Sequence, residues 1–191
     1  MVIDVLDGTD PELLEATVSD IRKSGEYLNP DLADPDLGTP ALQPVVIRGG
    51  SLYGVRMMVD EVIRRVGRSR RIRLLRIHGH GNQTAQLVGG WEVFGIGPAL
   101  TLPNLGLLRP TLKRLAPWFS PLGRAQLMGC NVGQAPFGPM LLQGLADIWG
   151  VPVSAGKDLQ YSGNGNGVSY EGPVETAYPR RGGSQWMEIP F

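Results

Sequence analysis

This chain has one cysteine, Cys130, and only two histidines, His78 and His80. A single cysteine excludes an internal disulfide, which fits a reducing compartment. Its 18 basic and 18 acidic residues cancel, so no global electrostatic attraction to nucleic acid or to an anionic membrane is expected. No segment approaches the roughly 20 consecutive apolar residues of a membrane span. The start, Met1 to Asp7, lacks a basic region followed by an apolar stretch. These absences lead us to expect a soluble protein, cytoplasmic or delivered by a secretion system that needs no signal peptide.

The chain does hold 27 glycines and 16 prolines within 42% hydrophobic residues, a composition that predicts a packed domain with many tight loops rather than disorder. At 191 residues it is read as one domain with a central sheet and helices on both faces. Residues 1–43 supply an N-terminal strand, a helix and a proline-rich loop, 44–163 the core, and 164–191 a C-terminal extension.

Alternating short apolar runs and helical periodicities carry this reading. Met1 to Leu6 reads as a strand, and Asp10-Pro11-Glu12 opens a helix to about Lys23 with an N-cap, an N1 proline and an early acid. Prolines at 30, 35, 40 and 44 predict a surface loop. Val45 to Ile47 is a strand, Ser51 to Val66 a helix with Leu52, Val55, Val59, Val62, Ile63 and Val66 on one face, and Ile72 to Ile77 a strand. This strand–helix–strand order predicts a right-handed parallel crossover and an α/β sheet.

Farther on, Gln86 to Val88 and Trp91 to Phe94 read as a hairpin, and Leu107 to Phe119 as a helix bent or interrupted at Pro110 and Pro117. A strand from Ala125 to Met128, a helix from Phe137 to Trp149 closed by Gly150, and a strand from Val151 to Ala155 follow. Strands over Val168 to Glu171 and Gln185 to Ile189 complete the expectation.

Both rare residue types end apolar runs at glycine turns: Leu74-Leu75-Arg76-Ile77-His78-Gly79-His80-Gly81 and Gln126-Leu127-Met128-Gly129-Cys130-Asn131-Val132-Gly133. Ligands of open parallel sheets bind beyond the carboxyl ends of the strands, where these turns fall. A thiolate attacks carbonyl carbon, and an imidazole is the usual means of making or stabilising one near neutral pH. The residues therefore support a Cys–His dyad. They equally support a buried free cysteine with two unconnected histidines.

Ile77-His78-Gly79-His80-Gly81-Asn82 resembles the strand-end histidine–glycine motif of the caspase-like cysteine peptidases, the group of caspases, legumains, gingipains and separases. Leu127-Met128-Gly129-Cys130-Asn131-Val132-Gly133 resembles the cysteine motif of separases and of related bacterial caspase-like domains, over a layout from about Pro44 to Gly163. The resemblance implies a caspase-like, mostly parallel sheet in which the histidine and cysteine strands are neighbours. It implies a thiol endopeptidase acting on protein or peptide without a cofactor, with Cys130 as nucleophile. Because Gly79 precedes His80, the pattern favours His80 as the base and leaves His78 as the second candidate. It also assigns the oxyanion to the backbone N–H groups of Gly81 and Cys130. Asp158 is then a candidate receptor for a basic substrate side chain and Arg48 for an acidic one.

Two rivals remain. His78, His80 and Cys130 are also a possible zinc set, since residues i and i+2 of an extended segment share a face, but a fourth ligand must come from a carboxylate or water. A non-catalytic interaction domain that keeps the fold and the dyad residues is the other. The basic stretch Arg64 to Arg73 is read as a solvated helix end and loop rather than a nucleic-acid patch.

Overall fold

A computed structural model describes residues 1–23, 45–47, 54–67, 71–88, 99–161 and 169–180. Its main sheet is built from β1 (Val2–Asp7), β2 (Val45–Ile47), β3 (Ile72–His78), β7 (Phe119–Leu127), β8 (Val153–Gly156) and β9 (Val174–Ala177), in the order β2-β1-β3-β7-β8-β9. The first five strands run parallel, and β9 closes the edge antiparallel to β8. A small antiparallel sheet of β4 (Gly81–Asn82), β5 (Ala85–Leu87) and β6 (Ala99–Thr101) follows β3. The helices are α1 (Pro11–Lys23), α2 (Gly54–Val66), α3 (Leu105–Lys113) and α4 (Phe137–Trp149). This is an α/β architecture around a mostly parallel sheet. Among the described residues no helix is long and apolar enough to cross a membrane.

The two faces of the sheet differ in chemistry because alternate strand residues point opposite ways. Ile3, Val5, Leu75, Ile77, Ala125, Leu127, Val153, Ala155 and Ala177 line one face and pack with Val55, Val59, Val62, Leu112, Leu141, Leu142, Leu145 and Trp149 in a single core. Across the other face runs a row in register, Asp4, Arg76, Gln126, Ser154 and Thr176. The step from β1 to β2 and the step from β2 to β3 travel in opposite directions along the sheet, so right-handed connections place α1 and α2 on opposite faces.

Several expected elements lie where the periodicity put them. Asp10 accepts the Glu12 and Leu13 amides at 3.0 Å each and caps α1. Gly150 ends α4 at φ 72°, where a side chain would be strained. In α2, Val55, Val59, Val62 and Val66 are buried.

Other expectations need correction. The helix read over Leu107 to Phe119 is α3, which starts at Leu105, runs through Pro110 and ends at Lys113; a short 3-10 turn over Ala116–Trp118 follows. Phe119 opens β7, which is therefore much longer than the expected Ala125 to Met128 and stops before Met128. Pro121 and Gly123 masked its first half in sequence, and its register against β3 shifts between Ile72 and Leu74. The strand after β8 is Val174–Ala177, whereas Ser169 to Glu171 form no strand. Tyr170 instead donates its hydroxyl to the Ser154 carbonyl at 2.7 Å, and burial pushes that hydroxyl's pKa far up, which keeps it a donor. β5 covers the first arm of the expected hairpin but pairs with β4 and β6; the second arm, Trp91 to Phe94, lies outside the described residues. So do the loop of residues 29–44, Arg48, the start of the helix at Ser51 and Leu52, and the strand expected at Gln185 to Ile189.

Candidate functional site

β3 and β7 are hydrogen-bonded neighbours, and both motifs leave the sheet at the same edge. Met128 N–H still donates to the Ile77 carbonyl at 2.9 Å, so the pairing persists to the last residues before each turn. Beyond that point the turns pack backbone against backbone. A Cβ placed on Gly81 would lie 2.6 Å from Val132 Cγ2, 2.9 Å from Gly129 Cα and 3.0 Å from the Cys130 carbonyl oxygen. One placed on Gly129 would lie 2.9 Å from Gly81 Cα and 3.1 Å from the Gly79 oxygen. Such separations exclude any side chain, so glycine at 81 and 129 is what lets the histidine turn meet the cysteine turn.

A residue that sequence reasoning missed ties the two together. Gln86, fully buried on β5, accepts the Gly129 amide on Oε1 at 2.9 Å and donates from Nε2 to the Leu87 carbonyl at 3.0 Å and the Gly79 carbonyl at 3.5 Å. One amide side chain thus holds both turns. Its partner Gly129 is 43 residues away, and no local pattern around Gln86 signals the contact.

The two histidines occupy different settings. His78 is 6% exposed, and its Nε2 is 2.8 Å from Asp4 Oδ1. The same carboxylate receives Arg76 through Nε at 2.7 Å and a second guanidinium nitrogen at 3.2 Å. His80 sits on the rim with its side chain 39% exposed, its Nε2 2.8 Å from Asp10 Oδ2. The Leu13 amide, then the His80 imidazole, hold the Asp10 carboxyl below its ordinary range.

The thiol is partly exposed, and its hydrogen-bond partners are both backbone groups of Gln160. Sγ donates to the Gln160 carbonyl at 3.4 Å and accepts the Gln160 amide at 3.3 Å. The imidazole of His80 is not hydrogen-bonded to it. Asn131, the residue after the cysteine, has a left-handed backbone at φ 58° and donates its amide to the Asp158 carbonyl at 2.9 Å. Asp158 therefore stands beside the cysteine turn with its side chain exposed.

The amides flanking Cys130 are both engaged, Gly129 by Gln86 and Asn131 by Asp158, while the Cys130 amide donates to no group among the described residues. Gly81 occupies the position next to the hydrogen-bonded His80–Leu87 pair in the β4–β5 ladder. Antiparallel alternation turns its N–H away from β5. Two backbone donors thus lie on the packed glycine turns.

No three His, Cys, Asp or Glu side chains among the described residues form a group able to hold a metal ion. The two imidazoles are instead claimed by separate carboxylates, Asp4 and Asp10. No family model matches the chain, and neither a curated protein nor a solved structure does.

Proposed function

We propose that the chain is a cysteine endopeptidase of caspase-like type, with Cys130 as nucleophile and His80 as its acid–base partner. The observation that carries this reading is the glycine-to-glycine packing of the His80-Gly81 turn on the Gly129-Cys130 turn, at the carboxyl ends of adjacent parallel strands. That is where open parallel sheets bind ligands. In the proposed reaction the thiol proton passes to His80, the thiolate adds to the peptide carbonyl, and the Gly81 and Cys130 amides receive the developing oxyanion. Imidazolium then returns the proton to the leaving amine, and water hydrolyses the thioester. Burial of His78 against Asp4 favours His80 over it, since a base must reach the substrate. The exposed carboxylate of Asp158 beside the cysteine turn supports a basic side chain at the residue before the cut.

One observation favours the interaction-domain alternative: the thiol is bonded to the Gln160 backbone rather than to an imidazole. Catalytic hydrogen bonds are often unformed before substrate binds, so the peptidase reading remains the better supported. A peptide library incubated with wild-type protein and with Cys130→Ala separates the two. Cleavage only by wild type is the expected result, and equal cleavage, or none, removes the peptidase assignment.

A further inference from the structure

Asp10 divides its carboxylate between two elements. Oδ1 accepts the Glu12 and Leu13 amides at the start of α1, and Oδ2 lies 2.8 Å from His80 Nε2. Its neighbour Asp7 is turned to other work, accepting the Thr9 amide at 2.9 Å and the Thr9 hydroxyl at 2.6 Å. An ionised carboxylate only accepts, so the hydrogen between Asp10 and His80 belongs to the ring. Neutral His80 then carries its proton on Nε2 and its basic lone pair on Nδ1. Because two helix amides pin the carboxylate, its free oxygen is aimed before the imidazole arrives.

We propose that Asp10 is the positioning residue for His80: it grips the ring through Nε2–H, makes Nδ1 the atom that exchanges a proton with the Cys130 thiol, and couples the base to the first turn of α1. The part concerning Cys130 rests on the Cys–His reading above. In that exchange the S–H bond breaks and an Nδ1–H bond forms, leaving thiolate and an imidazolium whose Nε2–H faces the Asp10 carboxylate. Acyl transfer later moves the Nδ1 proton to the leaving amine.

Asp10→Asn and Asp10→Ser test this, since both residues are good N-caps and α1 keeps its start. In Asp10→Asn, Oδ1 stays on the helix amides and the NH2 group turns to His80, which forces the ring proton onto Nδ1. Serine is too short to reach the ring. Two-bond 1H–15N spectra of the full chain, with His78 as internal reference, should show the His80 proton on Nε2 in wild type and on Nδ1 in Asp10→Asn. At neutral pH, alkylation of Cys130 by iodoacetamide should fall on the order of 100-fold in Asp10→Asn and about 10-fold in Asp10→Ser. At a pH where a free thiol is fully ionised the three rates should converge, which a general loss of structure would not produce. An Asp10→Asn protein that keeps its proton on Nε2, or that labels like wild type at neutral pH, overturns the proposal. A wild type whose thiol labels no faster than a free cysteine counts against the peptidase reading, while the tautomer still decides whether Asp10 orients the ring.

Discussion

Two imidazole–carboxylate pairs of the same length stand two residues apart on one strand and its turn. His78–Asp4 and His80–Asp10 both measure 2.8 Å, yet the first is sealed within the sheet with Arg76 and the second stands on the rim. What separates them is solvent and company. Inside, the carboxylate balances a guanidinium whose charge cannot be left bare, so the pair is tied to stability. At the rim, water screens the same contact, its energy is small, and what remains is direction. Equal geometry therefore predicts unequal consequences.

The sharpest break between the pairs comes from Asp4→Ala, which leaves Arg76 buried without that carboxylate and is expected to cost about 3–5 kcal/mol. Chemical denaturation should show it as a large fall in midpoint, and an unchanged midpoint would contradict the buried network. Next comes His80→Ala, expected to slow Cys130 alkylation at neutral pH by on the order of 100-fold, or about 2.7 kcal/mol in activation energy, with little change in melting temperature. If it melts early and labels normally, the roles of the two histidines are reversed.

His78→Gln is predicted to lose about 1–2 kcal/mol of stability while retaining most of the labelling rate, because a buried hydrogen bond to a carboxylate is replaced imperfectly. Zinc content measured alongside would tell a ligand from a strand residue. The smallest effect on stability is that of Asp10→Ala, about 1 kcal/mol for a lost cap. The folded Asp10 carboxyl lies below its ordinary value of 3.8. Its contribution is thus complete above that value and disappears as pH falls through the lowered one. The stability gap between wild type and Asp10→Ala should accordingly narrow below about pH 4, and a gap constant down to pH 2 would refute the linkage.

Which of these features could be read from sequence depends on how local their causes are. The limits of α4 and the start of α1 were legible because Gly150 and the Asp10-Pro11 cap act on adjacent residues. Glycine turns that end two apolar runs put both motifs at one sheet edge, while the pairing of β3 with β7 is implied only by the resemblance. The first half of β7 does not read as strand because Pro121 and Gly123 lie where its register slips. Val168 to Glu171 reads as strand, in place of β9, because Tyr170 has strand character while it serves as a hydroxyl donor to Ser154. Gln86 and the His80 link of Asp10 were invisible, since their partners lie 43 and 70 residues away. Arg48, the candidate for an acidic substrate side chain, lies outside the described residues.

The sequence distances across the site have a kinetic meaning. Asp4 to His78 spans 74 residues, Asp10 to His80 spans 70, and Cys130 to Gln160 another 30. Each contact must wait for a loop to close, and such non-local closures slow folding more than they alter final stability. A nascent chain that has emerged as far as β4 holds both imidazoles and both carboxylates but no thiol. The cysteine turn can thus take its place only after β7 has joined a sheet whose strands β1, β2 and β3 precede it in the chain.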